Sequence, residues 1–122
     1  MLKEIVAVFI GGGIGSSMSY LINKSSFIMP NSFPYSTFIT NIIGCFILGL
    51  RIGYFLKNNN QNSLIFVFLT TGICGGFTTF STFSNEGLTL INNGSYFTFL
   101  IYTMISIILG LLAVYFGAII YK

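Results

Sequence analysis

The residues able to do chemistry crowd into one stretch of this sequence. From Gly72 to Glu86 the chain reads GICGGFTTFSTFSNE. Thr79, Thr82 and Glu86 stand at i, i+3 and i+7, so on a helix they form one polar stripe. Phe80 and Phe83, at i and i+3, fall on an adjoining face. A phenyl ring is negative on its face and positive at its edge, so a pair of ring edges can favour a small anion. In a chain with 14 Phe the competing reading is lipid-facing or core packing, and the polar stripe beside the pair weighs against it. Asn41 lies within an apolar run, where an amide at membrane depth serves either as a ligand contact or as glue between helices. Tyr102, Ser106 and Gly110 share a face at i, i+4 and i+8, two hydroxyls above a small residue. The chain has no His and no Asp, and its acids are Glu4 and Glu86. That removes the usual material for triads, acid–base pairs and side-chain metal sites, and it disfavours an enzyme.

The backbone between these residues is equally telling. Gly75-Gly76 followed by Thr78-Thr79 is poor helix sequence, at up to about 1 kcal/mol per Gly relative to Ala. The flanking halves are about ten to twelve residues each, too short to cross a bilayer alone. The pattern predicts a helix broken near mid-membrane. Such a break is tolerated only when buried in protein or lining an aqueous path, since unpaired backbone groups in hydrocarbon cost several kcal/mol each. In transporters it offers carbonyls to a cation or amides to an anion. A packing kink against a neighbouring helix is the plain alternative.

The elements that must position these groups follow from composition. Of 122 residues, 54% are hydrophobic and 6% charged, with a mean hydropathy of +0.89. Soluble domains carry about 25% charged residues, so a water-exposed globule is excluded. Charge gaps divide the chain into a single four-helix transmembrane domain over residues 1–122, with spans at about 3–23, 34–56, 63–91 and 95–121. Pro34 can open the second span. Polar segments at 23–33, Lys57–Asn62 and Asn92–Ser95 connect them. The first apolar run is too long for a cleaved signal peptide, and Lys24 follows it. Four crossings put Lys3, Lys57 and Lys122 on one side, with Arg51 near that end and Lys24 opposite, so the positive-inside rule sets both termini in the cytoplasm. Isolated cations flanking apolar runs are membrane anchors and give no reason to expect nucleic acid as a partner. Cys45 and Cys74 lie in apolar stretches with no CxxC partner, which favours free buried thiols over a disulfide or metal site. Gly11–Gly15 lacks the spacing of a dinucleotide loop. Gly11 with Gly15, Gly49 with Gly53 and Gly72 with Gly76 are small-xxx-small pairs for close helix approach.

The string Gly75 to Glu86, GGFTTFSTFSNE, resembles the GGxTTFSTFSxE signature of the Fluc/CrcB fluoride channels. Phe33-Pro34-Tyr35-Ser36-Thr37 through Asn41 and Gly44 is similar to their second-helix PxGTxxxNxxG motif. Gly12-Gly13-Ile14-Gly15 followed by Tyr20 is similar to the first-helix GGxxGxxxRY pattern, and Tyr102, Ser106 and Gly110 to the fourth-helix YxxxSxxxG. The chain departs at Ser19, where the family has Arg, and more mildly at Ser36, Thr40 and Cys45.

The resemblance implies an all-α membrane protein that assembles as an antiparallel dimer with two pores and exports fluoride passively across the cell membrane. It implies that Phe80 and Phe83 line the fluoride path, that Asn41, Ser81, Thr82, Tyr102 and Ser106 help solvate the ion, and that Glu86 lies on its polar track. It also implies a structural sodium (Na+) at the dimer interface, held by backbone carbonyls of Gly75 and Thr78 from both chains. The physics is consistent. Moving a small anion into a low-dielectric medium costs about 20 kcal/mol by Born estimates, so conduction needs a ladder of weak donors, none of which traps the ion. An inside-negative potential drives an anion outward by about 2.3 kcal/mol per 100 mV. The uneven cation split leaves two assemblies open, a dual-topology homodimer and a heterodimer with an oppositely inserted sister chain. A small multidrug-type exporter has similar size but needs a Glu in mid-helix, whereas Glu4 is terminal. A non-conducting membrane assembly subunit is the remaining alternative.

Overall fold

A chain this poor in polar side chains must pair its backbone groups internally in lipid, and helices do so within one segment. The computed structural model describes residues 1–25, 33–58 and 63–121. The loop read at 26–32, the linker at 59–62 and Lys122 lie outside the described residues. Helix α1 spans Leu2–Ser25 and α2 spans Tyr35–Asn58. The third crossing is composite: α3 (Ser63–Val67), a π-helical segment (Phe68–Cys74), α4 (Gly75–Phe77) and α5 (Phe80–Asn92). Helix α6 spans Tyr96–Ile119. Four stretches are long and apolar enough to cross a membrane: Leu2–Lys24, Tyr35–Asn58, Leu64–Asn92 and Tyr96–Ile119. The all-α, four-span expectation therefore holds.

Pro34 stands directly before α2, and its carbonyl accepts the Phe38 N–H at 3.1 Å, so the ring with no N–H to spare starts the helix. Helix α5 ends where Gly94 takes φ +78°, a conformation open to a residue without a Cβ, and the Ser95 N–H turns back to the Leu90 carbonyl at 2.8 Å.

Two interfaces carry the fold. Helix α2 packs along α6, and α1 packs along the π-helical segment and α4. The paired glycines make both close. A Cβ on Gly76 would sit 2.5 Å from the Gly12 carbonyl oxygen, and one on Gly49 would run into the Val114 backbone. The packing value assigned to these glycines from sequence is thus visible. Ser36 Oγ donates to Asn23 Oδ1 at 2.8 Å and Asn23 Nδ2 to the Ser19 carbonyl at 2.9 Å, tying α1 to α2. Large apolar side chains, such as Phe9, Leu111 and Phe97, point outward, while Thr37, Thr40 and Tyr102 are fully buried. This inverted distribution suits a lipid solvent.

The third crossing is broken, but not at the glycines. Gly75 and Gly76 stay helical, held against α1, and the chain becomes extended at Thr78 (φ −82°, ψ 152°) and Thr79 (φ −146°, ψ 118°). The β-branched pair, not the glycine pair, yields to the extended region, in keeping with its restricted χ1 freedom in helices. The preceding π-helical turns were not anticipated. Their signature is the Gly75 N–H reaching back to the Thr70 carbonyl as well as to that of Gly72.

Candidate functional site

The break leaves backbone groups that the helices on either side no longer satisfy, and α2 supplies what is missing. Thr79 N–H donates to Asn41 Oδ1 at 2.8 Å, and Asn41 Nδ2 donates to the Thr79 carbonyl at 3.3 Å. One side-chain amide thus pairs with both polar groups of a single extended residue, as a neighbouring strand would. Thr79 also caps α5. Its Oγ1 accepts the Thr82 N–H at 3.2 Å and donates to Thr82 Oγ1 at 3.1 Å, with Ser81 Oγ at 3.3 Å. The stripe read at 79, 82 and 86 therefore begins at a cap rather than inside a helix.

Two carbonyls lose their usual donors through this arrangement. In an uninterrupted helix the Gly75 carbonyl would accept from Thr79 N–H, which goes to Asn41. The Thr78 carbonyl would accept from Thr82 N–H, which goes to Thr79 Oγ1. Gly75 lies on the exposed side of the chain. These are the two carbonyls that the resemblance assigned to sodium, and their chemistry suits a hard monovalent cation.

Beside the break runs a groove of about 310 Å³ between α2, α5 and α6, lined by Asn41, Cys45, Thr79, Phe80, Phe83 and Ser106. The Phe80 and Phe83 ring centroids are 5.9 Å apart at 32°. Phe80 is 79% exposed, so the groove has no outer wall within this chain. Ser106 Oγ is buried and makes no hydrogen bond among the described residues. A hydroxyl in that state carries an unspent donor into the groove.

From Phe83 a line of polar and aromatic groups continues toward the Lys24 end. Phe83 and Tyr102 lie 5.0 Å apart, and Phe33 meets Tyr102 edge-on at 5.3 Å. Glu86 turns inward, accepting from Thr37 Oγ1 at 2.7 Å and from the Tyr102 hydroxyl at 3.0 Å. Thr37 and Tyr102 are both 0% exposed, so this trio is locked.

Of the residues singled out from sequence, Phe80, Phe83, Asn41 and Ser106 share the groove, and Tyr102 and Glu86 flank it. Ser81 and Thr82 instead join the Thr79 cap and do not line the groove. Sequence reasoning missed Thr37, Thr79 and Phe33 as working parts. Thr37 stands four residues before Asn41 on the same helix face, and Thr79 is a Thr directly ahead of a helical run, so both signals were present. Cys45 and Cys74 are free, the latter buried. Glu4 sits at the outer end of α1, 2.8 Å from the Met1 amine, away from any mid-membrane position.

Residues 6–118 match the family described as CrcB-like protein, Camphor Resistance (CrcB). The chain is 43% identical over 125 residues to a protein of Flavobacterium psychrophilum named fluoride-specific ion channel FluC, covering 99% of this chain and 98% of the relative. It is 45% identical to a protein of that name from Azobacteroides pseudotrichonymphae, covering 96% and 94%, and 47% identical to one from Bacteroides fragilis, covering 95% and 94%.

Proposed function

We propose, from the premise that this chain belongs to the CrcB family, that fluoride crosses the membrane along the groove lined by Phe80, Phe83, Asn41 and Ser106. The protein is a fluoride-selective channel of the cell membrane, multi-pass and not an enzyme. The observation that carries the path is the unpaired, buried Ser106 hydroxyl beside two phenyl rings. An ion entering there meets a neutral donor and positive ring edges, with no cation to trap it. Flow is passive and outward, driven by the inside-negative potential.

The working unit in this reading is an antiparallel dimer with two pores. A groove open at Phe80 needs a wall, and α5 carries Ser81, Ser84, Asn85 and Thr89 on its exposed surface. In lipid such a face is best covered by protein. The Gly75 and Thr78 carbonyls of two copies would together hold one sodium ion, which supplies a fixed positive charge that ties the copies together. Both a homodimer and a pair with a sister chain remain compatible with the charge pattern, and reconstitution of this chain alone separates them: flux without a partner sinks an obligate pair.

The central test is efflux from liposomes loaded with fluoride and chloride, with sodium present. Rapid fluoride loss with chloride retained is the expected result. Fluoride retention by folded, incorporated protein overturns the reading if a co-inserted sister chain also fails to restore flux.

A further inference from the structure

An arginine inside a membrane span is costly and is ordinarily paired. Arg51 lies two helical turns before the end of α2 at Asn58, which is about 10 Å along the axis. Its guanidinium carbon stands 5.3 Å from the centre of the Tyr54 ring and 5.9 Å from that of Phe66. Ring faces stabilise the charge but accept few of its five N–H bonds. Nε and Nη2 are buried and have no hydrogen-bond partner among the described residues. These two atoms form one edge of the guanidinium, with parallel N–H bonds spaced to receive two oxygens of one oxyanion.

No side-chain acid of the chain is free to fill that edge. Glu4 pairs with the Met1 amine, and Glu86 is held by Thr37 and Tyr102 toward the opposite end. The acceptor must come from elsewhere, and there is space for it. A groove of about 460 Å³, lined by Leu50, Arg51, Tyr54, Ile65 and Tyr121, runs along the guanidinium. Tyr54 and Tyr121 meet edge-on at 5.4 Å on its rim. Tyrosines at this depth mark the zone between hydrocarbon and headgroups. Lys3 and Lys57 stand at the same end of the bundle.

We infer that Arg51 binds a phosphate-class oxyanion through its Nε–Nη2 edge, the phosphodiester of an anionic lipid whose chains follow the apolar wall of the groove. The site lies apart from the fluoride groove and asks for the opposite chemistry, a full charge that grips its ligand. The membrane-facing position favours lipid phosphate over free phosphate, and the two sources can be separated by experiment.

The test uses the purified chain in phosphate-free dodecyl maltoside. Bound lipid is read by native mass spectrometry and stability by the thermal unfolding midpoint. The probes are phosphatidylglycerol, a diacylglycerol with the same chains but no phosphate, and inorganic phosphate. Phosphatidylglycerol should be retained and raise the midpoint, and diacylglycerol should do neither. R51K keeps a charge without the fork and should weaken retention by about tenfold, with R51Q weaker still. Competition by inorganic phosphate at the same site supports the oxyanion and makes a soluble ion its source; none supports lipid phosphate. Equal binding of diacylglycerol and phosphatidylglycerol overturns the proposal, as does undiminished phosphatidylglycerol retention by R51K. Should R51Q fail to fold, R51K and the wild-type lipid comparison still decide. Fluoride efflux is a separate readout, so failure here leaves the channel reading standing.

Discussion

On one side of Phe83, toward the Lys24 end, every polar group has a partner. Glu86 spends both oxygens on Thr37 and Tyr102, and those two residues are fully buried. On the other side, the groove that Asn41, Phe80 and Ser106 line is open at Phe80, and the Ser106 hydroxyl is unspent. Asn41 belongs to both worlds, because it faces the groove while its amide is used on Thr79. The contrast separates two jobs that polar residues do in a membrane. Saturated groups fix geometry, whereas unspent weak donors are free to exchange with a passing ion.

That division can be broken at its hinge. Asn41→Ala removes both hydrogen bonds and strands the Thr79 N–H and carbonyl, so it should cost about 2–4 kcal/mol of stability and abolish flux. Chemical or thermal unfolding and liposome efflux measure the two effects. Phe80→Ile and Phe83→Ile come next. They keep apolar bulk while removing the ring edges, so efflux should drop about tenfold or more, a barrier rise of about 1.4 kcal/mol, with the fold intact by circular dichroism. Flux unchanged in both variants would remove the ring edges from the path.

A smaller effect sharpens the saturated side. Thr37→Val leaves Glu86 Oε1 without its donor and should destabilise by about 1–2 kcal/mol, seen as a lower unfolding midpoint. Smallest in stability is Ser106→Ala, which deletes a hydroxyl bonded to nothing. Its unfolding free energy should stay within about 0.5 kcal/mol of the parent, while efflux falls. A Ser106→Ala protein that loses stability but keeps full flux would reverse the assignment of the two sides. Withdrawing sodium should leave single-chain helicity unchanged and shift the dimer toward monomer, as read by analytical ultracentrifugation.

Much of this was legible in the sequence, for identifiable reasons. Span number followed from charge gaps, because lipid punishes charge regardless of tertiary detail. Close packing at Gly49 and Gly76 was readable because only a missing Cβ allows such approach. The break was legible in kind but displaced by two or three residues. Glycine's low helix propensity is a solvent-exposed measure, and the contact of Gly76 with Gly12 outweighs it. The partner choices of Asn41 and Glu86 were hidden because they depend on α2 and α6 being brought beside α5. Arg51 read as an anchor among others; that its guanidinium turns inward onto Tyr54 and Phe66 is a tertiary fact.

The π-helical stretch at Phe68–Cys74 has a bearing on how this protein can vary. Its wider turns hold one residue more than an α-helix of the same rise would. Removing a single residue there would restore α geometry and rotate whatever follows by about 100°, parting Gly76 from Gly12 or carrying the Thr78–Thr79 break away from Asn41. Conservative apolar replacements at Phe68, Leu69 or Ile73 keep the count and should be absorbed far more readily. The segment is thus permissive in spelling and strict in length, and a one-residue deletion, chemically mild as it looks on paper, should silence the channel more surely than several simultaneous exchanges.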